Sequence, residues 1–295
     1  MSNKSLIIKS PSTIDADLLK YNVLRVFTTL PANYSSNNGY IGNQKLTIEK
    51  IEGDTDTDVI GNGTNIVSGI NNSTTSQKRI VFDISPIDAI TKVGVGQYTL
   101  ANLKSIMGEG LAALKGLTDI TTIEISNESA GRVNNPSEDT ILSGDIAELK
   151  TLTNLTSLSL NGTKVSGDIA ELKTLTRCRA IYISETNVWG DLSVLNPSVL
   201  KVSGGSSKSN QKLSWSSPTN RSSKTNIPLV ITDGNGKGAW DFGDDVDKLF
   251  IDEAACTNYS GNPMGKYINV KGNRTSASDN AIQTLQNNGW TVKIN

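Results

Sequence analysis

Histidine is absent from this 295-residue chain, which restricts the chemistry that the remaining side chains could perform. Serine–histidine and cysteine–histidine nucleophiles need an imidazole, and most zinc sites use one as a ligand. Paired carboxylates remain, since Asp244, Asp245 and Asp247 stand close together. A glycosidase needs two separated acids, one of them desolvated, whereas this spacing is typical of a solvated turn. We therefore expect no catalytic residues and no enzymatic activity.

A glycine-rich segment at residues 233–245 has part of the pattern of a calcium-binding loop. Positions 1, 3, 6 and 12 of such a loop are filled by Asp233, Asn235, Gly238 and Asp244. Lys237 takes position 5, where its charge would oppose a cation, and no flanking helix is evident. The same glycines lack the spacing and the Lys-Ser/Thr ending of a phosphate-binding loop. We favour a glycine-rich turn here, without a metal or a cofactor.

The middle of the chain contains a regular sequence repeat. The eleven residues SGDIAELKTLT occupy 143–153 and again 166–176, so the repeat has a period of 23 residues. Apolar residues then follow at the same offsets in both units, Leu149, Leu152, Leu155, Leu158 and Leu160 in the first and Leu172, Leu175, Cys178, Ile181 and Ile183 in the second. Leu158 and Leu160 alternate with polar residues, so a strand at 157–161 would have one apolar and one polar face. Cys178 takes a leucine position, so we expect a buried thiol without a redox role.

The repeat continues in both directions with changes. Residues 111–126 match residues 146–161 at an offset of 35 residues, which is 12 more than one period. These 12 extra residues predict an insertion that loops out from one edge of the solenoid. A shortened unit follows downstream, with Leu192, Leu195, Leu200 and Val202. A polar run at 204–212 interrupts it. Residues 281–294 predict a short helix, a stop at Gly289 and a last strand, which we interpret as a terminal cap.

The offsets between Leu111 and Val202 resemble those of the leucine-rich repeat family. The resemblance implies an α/β repeat fold, a short leucine-rich-repeat solenoid at residues 99–295 in which each unit buries its leucines against the next. The repeat style GDIAELKTLTNLTSLSLNGTKV also resembles leucine-rich-repeat domains of gut Bacteroidales and of their tailed phages. Such a motif specifies the fold more closely than the role of a protein.

Residues 1–98 show no leucine repeat, and we interpret them as a β-rich, partly extended N-terminal attachment region. Three segments have the pattern of strands, SLIIKS, KLTIEKI and RIVFDIS. Residues 53–77 are dominated by Asn, Ser, Thr, Gly and Asp and hold too few apolar side chains to fold alone. This segment is predicted to be a polar arm that becomes ordered on a partner.

The charges of the chain nearly cancel, since 28 Lys and Arg against 29 Asp and Glu give a formal charge of -1. That balance offers no electrostatic footprint for nucleic acid or for anionic lipid, and we expect neither as a partner. The N-terminal apolar run Leu6-Ile7-Ile8 is far too short for a signal peptide or a membrane span.

The candidate binding residues lie on the polar face of the predicted strands. Glu124, Ser159, Tyr182 and Lys201 are assigned to equivalent positions in successive units. We therefore expect them to form one column on the concave strand face, which many solenoids use for binding. An exposed aromatic ring with both charges nearby is a suitable anchor for a partner. A merely solvated face is the alternative interpretation.

These features favour a non-enzymatic structural or adhesion component of a phage virion, such as a fibre, decoration or vertex protein. It would contact other virion proteins, or a receptor on the host surface, through the solenoid and the N-terminal arm. The alternative is a bacterial cell-surface or cytoplasmic interaction module built on the same repeat. A carbohydrate-active enzyme is a third interpretation, for which no carboxylate pair is nominated. Heptads are absent, so the pattern leaves homo-oligomerisation open.

Overall fold

The computed structural model describes residues 110–115, 118–125, 143–204, 212–233 and 239–295, and before them the backbone of eight strands. Two of the three strands predicted near the N-terminus are present: KLTIEKI overlaps Thr47–Glu52, and RIVFDIS lies within Lys78–Ser85. The third, SLIIKS, lies outside the described residues. So do the polar arm at 53–77, apart from Asn71–Asn72, and the predicted insertion between Ser126 and Asp145 as far as residue 142.

The described residues form twenty strands and two α-helices, which are numbered in chain order. The strands before residue 110 are β1 (Leu24–Leu30), β2 (Tyr34–Ser35), β3 (Tyr40–Ile41), β4 (Thr47–Glu52), β5 (Asn71–Asn72), β6 (Lys78–Ser85), β7 (Lys92–Val95) and β8 (Leu103–Ile106). The later strands are β9 (Thr122–Ile125), β10 (Ser143–Asp145), β11 (Ser157–Ser159), β12 (Lys164–Asp168), β13 (Ala180–Tyr182), β14 (Asn187–Asp191), β15 (Lys201–Ser203), β16 (Leu213–Ser214), β17 (Val230–Thr232), β18 (Trp240–Asp241), β19 (Tyr267–Lys271) and β20 (Thr291–Ile294). The helices are α1 (Val246–Ala254) and α2 (Asp279–Asn287). Short 3-10 helices lie at Gly110–Leu114, Ile146–Leu149, Ile169–Thr174, Leu192–Val194, Gly243–Asp245 and Ser276–Ser278.

The early strands are divided among three sheets. Strands β4, β6, β1 and β8 form an antiparallel sheet in that order. Strand β2 pairs with β5, while β3 and β7 join a larger sheet in which β7 pairs in parallel with β9. Strands from both sides of residue 98, where the sequence suggested a domain boundary, therefore share sheets.

The larger sheet has ten strands in the order β18-β19-β17-β15-β13-β11-β9-β7-β3, with β20 also paired to β19. Every pair from β7 to β20 is parallel. In the middle of the sheet Leu158 pairs with Ile123 on one side and with Ile181 on the other. Since Leu158 and Ile181 lie one period apart in the chain, one sequence repeat corresponds to one strand of this sheet. From residue 110 onwards, the described part is an α/β arrangement of parallel sheets joined by short helices.

A second parallel sheet, β10-β12-β14-β16, contains the Gly-Asp dipeptide of each repeat. Gly144, Gly167 and Gly190 have φ angles of 133°, 112° and 118°, a conformation that glycine adopts without steric cost. The aspartate after each glycine starts a 3-10 helix by accepting a hydrogen bond from a backbone N–H two residues later. These bonds join Asp145 to Ala147 (2.9 Å), Asp168 to Ala170 (2.9 Å) and Asp191 to Ser193 (2.8 Å). The repeated segment is thus a strand, a tight turn and a capped helix.

One continuous hydrophobic core runs along the larger sheet. The leucines that the repeat predicted to point inward are fully buried, and so is Cys178 at its leucine position. Leu158 and Ile181 belong to this same core. Burial of one such side chain contributes about 1.5–3 kcal/mol. Neighbouring units therefore stabilise each other by sharing apolar surface.

After β15 the core contains a large aromatic side chain, Trp240, in addition to aliphatic residues. A Cβ atom on Gly204 would lie 1.8 Å from the ring of Trp240, so only glycine leaves room for this indole. Further along, α2, Gly289 with φ of 81° and β20 confirm the predicted helix, stop and last strand. Within the described ranges, no helix has the length and apolar character needed to cross a membrane.

Candidate functional site

The polar strand face is the side of the larger sheet that points away from the core. The central residue of each strand, such as Leu158 or Ile181, is fully buried, so its two neighbours project from the opposite side. The strand pairings arrange these neighbours in two columns. The first column contains Thr122, Ser157, Ala180, Lys201, Val230, Tyr267 and Thr291, and the second contains Glu124, Ser159, Tyr182, Ser203, Thr232, Asn269 and Lys293.

Three of the four predicted binding residues form the expected column. Ser159 pairs with Glu124 on one side and with Tyr182 on the other. Lys201 does not belong to this column, because it pairs with Ala180 while Ser203 pairs with Tyr182. The unit that ends in β15 is two residues shorter than the unit before it, since Ser203 lies 21 residues after Tyr182 and Tyr182 lies 23 after Ser159, whereas the prediction placed Lys201 only 19 residues after Tyr182. The predicted alignment of Lys201 with Tyr182 was therefore wrong by two residues.

Lys201 nevertheless reaches Tyr182 across the two columns. Its Nζ lies 5.3 Å from the centroid of the tyrosine ring, within the range of a cation–π interaction. A second pair of the same kind lies further along the face, where Nζ of Lys293 is 5.8 Å from the ring centroid of Tyr267. The sequence reasoning missed this second pair. Its signal is the match of YINVK at 267–271 to TVKI at 291–294.

The exposure of the face varies along the sheet. Glu124, Thr291 and Lys293 are exposed, and both tyrosines of the two pairs are partly exposed. Between the two pairs, Ser203 and Val230 are buried. The face therefore offers two separate exposed regions, each with a lysine held against an aromatic ring. Such groups can donate hydrogen bonds, stack and attract negative charge.

The three neighbouring aspartates are engaged separately instead of forming an acid pair. Asp244 accepts a hydrogen bond from Asn273 (2.9 Å), and Asp245 forms an ion pair with Lys248 (2.7 Å). Asp247 is partly buried, which works against its ionisation, but hydrogen bonds from Ser278 and Thr275 outweigh this effect and hold its pKa below the ordinary value.

The calcium-loop candidate gains no support from the described residues. A helix does follow the segment, since α1 begins at Val246, so the expectation that no helix flanks it was wrong. Asp233 ends the described stretch after β17, Asp244 is bonded to Asn273, and Asn235 lies outside the described residues. In the part of the chain that the structure describes, no group of three or more acidic or cysteine side chains could hold a metal ion.

A buried charge cluster, Arg221 with Asp252 and Glu253, was not foreseen. All three side chains are almost completely buried. Nε of Arg221 lies 3.4 Å from Oε1 of Glu253, and Nη2 donates to the carbonyl of Val199 at 2.6 Å. Glu253 also accepts a hydrogen bond of 2.5 Å from the backbone N–H of Leu229. Burial raises the pKa of Glu253 to about 8, although Arg221 and the Leu229 N–H favour the ionised form.

Asp252 of this cluster has a structural role. It accepts hydrogen bonds from Nε1 of Trp215 (3.0 Å), from the backbone N–H groups of Arg221 and Ser222 (2.8 Å each) and from the Ser222 hydroxyl (2.6 Å). These bonds fasten the segment before β17 to α1. No sequence signal pointed to them, because the partners are far apart in the chain and follow no motif.

Both cysteines are free and buried. Burial raises the pKa of Cys178 to about 12 and that of Cys256 to about 12. A thiol that keeps its proton at neutral pH is a poor nucleophile and a poor metal ligand. The thiols therefore act as small apolar side chains.

No family model matches this chain, and no curated protein is significantly similar to it in sequence.

Proposed function

We propose that residues 99–295 form a leucine-rich-repeat solenoid and that the protein is a non-enzymatic binding scaffold. The proposal is supported by parallel strands that pair at the period of the sequence repeat, by the Gly-Asp turn that recurs in each unit and by one core shared among the units. A scaffold of this kind presents a long, regular surface instead of a single deep pocket.

The observation that carries the binding role is the pair of lysine–tyrosine contacts on the polar strand face, Lys201 with Tyr182 and Lys293 with Tyr267. The rings project from short paired strands, so their positions are fixed before a partner arrives. A fixed tyrosine loses little conformational entropy on binding and buries a large area, which is why this residue type is common among binding hot spots.

The proposed setting is a phage virion, in which the protein would be a fibre, decoration or vertex component. The repeat style that resembles proteins of gut Bacteroidales and their phages supports this setting, and so does the polar composition of residues 53–77. Its partners would be other virion proteins or a receptor on the host surface. A bacterial cell-surface or cytoplasmic interaction module is the second candidate, favoured by the same repeat.

Particle composition separates these two settings. We expect the intact chain among the proteins of particles purified by density gradient, identified by mass spectrometry at a fixed ratio to the major capsid protein. Its absence from particles, together with its recovery in a washed cell-envelope or cytoplasmic fraction, would contradict the virion setting and support the second candidate.

The binding face is tested by changing one of its lysine–tyrosine pairs. Tyr182→Ala with Lys201→Glu removes the ring and reverses the charge, so binding to the particle or host fraction should weaken at least about tenfold, or roughly 1.4 kcal/mol. Quantitative pull-down with purified protein measures this change.

The control for this test is Trp189→Ala with Lys173→Glu, which removes an aromatic ring and reverses a lysine charge elsewhere on the surface. Trp189 lies on the second sheet and is 49% exposed. The control protein should bind as the wild type does. Equal binding by the wild type and the Tyr182 and Lys201 variant would end the proposal that this face makes the contact.

A further inference from the structure

Among the described strands, β20 is paired on one side only. It pairs with β19 from Tyr267–Thr291 to Val270–Ile294, and among the described strands none pairs with its other side. Thr291 and Asn295 donate their N–H groups to the carbonyls of Lys266 (3.0 Å) and Val270 (2.9 Å). Backbone groups alternate along a parallel pair, so the N–H and C=O groups of Val292 and Ile294 point away from β19. These groups can receive another strand.

A groove with three apolar and four polar or charged lining residues lies beside this edge. On β19 the core residues Ile268 and Val270 are fully buried, but on β20 Val292 is partly exposed and Ile294 is 36% exposed. Val292, Ile294 and Ile282 of α2 line a cavity of about 350 Å³ together with Arg274, Asp279, Gln283 and Gln286. The shared core therefore reaches the surface at this end.

We propose that two copies of the chain join edge to edge through β20, running antiparallel about a twofold axis. An identical copy provides an edge of the same length with the same partly exposed Val292 and Ile294. Head-to-tail stacking lacks a matching surface in the described part, because the sheet ends on its other side with the two-residue strand β3. The groove contains one cation and one anion, Arg274 and Asp279, which pair with each other. Identical faces can therefore meet without net repulsion.

The charge of Lys293 selects among the registers that the outward backbone groups allow. A twofold axis at Val292 places it opposite the partner's Val292, so that the two residues exchange both hydrogen bonds. Thr291 then lies opposite the partner's Lys293. An axis at Lys293 would instead place two lysines opposite each other, which is destabilising.

Lysine on an edge strand commonly prevents such pairing, so the position of Lys293 matters. Its Nζ lies 5.8 Å from the ring centroid of Tyr267 on the neighbouring strand of its own chain. The charge is thus directed inward along the sheet and leaves the edge accessible. Edge pairing of this kind is compatible with any partner on the polar strand face and does not depend on the proposed function.

The oligomeric state of the full chain tests the proposal. Light scattering after size exclusion should give a mass that approaches twice 31.5 kDa as concentration rises. Ile294→Lys places a charge in the groove and should leave a monomer with an unchanged circular dichroism spectrum. Ile251→Lys is the matched control, because Ile251 is also 36% exposed but lies on α1, and this variant should dimerise like the wild type. A wild type that stays monomeric at high concentration, or a control that loses the dimer, would overturn the proposal.

Disulfide trapping tests the register independently of any loss of folding. Thr291→Cys and Lys293→Cys are prepared as separate proteins, and both native cysteines are buried and stay out of the reaction. Mild oxidation of the mixture should give a mixed disulfide dimer, whereas each protein alone should stay largely unlinked. Strong linking of the Lys293→Cys protein alone, or no linking in a mixture that still dimerises, would contradict the pairing described.

Discussion

Arg221 is a charged side chain in a place where charge is costly, and its two acidic neighbours show how the fold accommodates it. Isolated burial of an ionised group is strongly unfavourable, so buried charges are paired and hydrogen-bonded. Here one cation faces two acids, and the cluster is neutral when one acid keeps its proton. The raised pKa of Glu253 identifies that acid. The cluster thus stores a proton inside the folded protein.

This proton makes stability depend on pH. Glu253 titrates at about 8 in the folded chain, against 4.5 for a free side chain, so between these values the folded state binds more protons than the unfolded state. The free energy of unfolding should therefore fall as the pH rises from about 5 to about 8. In Glu253→Gln the side chain cannot ionise, and this fall should be much smaller.

Urea denaturation at several pH values measures the effect. Glu171→Gln serves as the control, because Glu171 is a partly exposed member of a surface ion pair with Lys150 and should leave the pH profile as in the wild type. A Glu253→Gln protein with the wild-type slope would show that the proton is held elsewhere.

The sequence predicted the buried Cys178 thiol and the buried leucines, because these residues recur at the same offsets in each repeat. It did not predict the cluster around Arg221, whose members are distant in sequence and obey no period. A buried ion pair is recognisable only after the fold has brought its partners together. The same limit applied to the three neighbouring aspartates, which bind three separate donors.

At the scale of elements, consecutive repeat units are in close contact where the glycine of one Gly-Asp pair packs against the aspartate of the pair before it. A Cβ atom on Gly190 would lie 2.1 Å from Oδ1 of Asp168, and one on Gly167 would lie 2.3 Å from Oδ1 of Asp145. The aspartate that caps one 3-10 helix thus occupies the space that the glycine of the following unit leaves free. The recurrence of the Gly-Asp pair at a fixed spacing within this chain has a packing cause.

A double-mutant cycle tests this contact. Asp168→Ala removes the cap of the helix at Ile169–Thr174 and should cost about 1 kcal/mol. Gly190→Ala should cost more, because its φ of 118° is unfavourable for alanine and because the new methyl meets Asp168.

Combining the two changes removes the clash, so the joint loss should be smaller than the sum by about 1 kcal/mol. Thermal unfolding of the four proteins gives these values. Strictly additive losses would mean that the aspartate and the glycine do not constrain each other.

The register of the strands was predicted correctly where the period is regular, and the prediction failed where the length of the unit changes. Glu124, Ser159 and Tyr182 align as the regular offset and the matched upstream segment indicated. The unit that ends in β15 is two residues shorter, and a deletion within a degenerate stretch has no position that sequence alone can fix. The alignment of Lys201 was lost for that reason, although its long side chain still reaches Tyr182.

For the whole molecule, the shared core links distant units. Leu158 of β11 and the buried Trp240 of β18 belong to one hydrophobic cluster although several strands separate them. In an array whose units touch only their neighbours, strong coupling between units gives one unfolding transition, whereas weak coupling gives stepwise unfolding.

We expect Leu158→Ala to destabilise the protein by about 2–5 kcal/mol, because it leaves a cavity in a fully buried position. The loss should be equal when unfolding is followed by the fluorescence of the buried tryptophans and by circular dichroism. Ile251→Ala, at a partly exposed position, should change stability by less than about 0.5 kcal/mol. If Leu158→Ala left the unfolding transition measured by tryptophan fluorescence unchanged, the C-terminal strands would unfold independently of the rest.

The match between neighbouring units also bears on how the chain can change in length. Asn161 accepts a hydrogen bond from the backbone of Ser184, and Arg177 donates one to Asn154, so residues of one unit recognise positions one period away. Two identical eleven-residue segments invite unequal recombination in the gene, which adds or removes one whole unit. A duplicated unit would fit between its parents and lengthen the sheet by about 4.8 Å. The reach of this protein can thus evolve in discrete steps while its two ends stay unaltered.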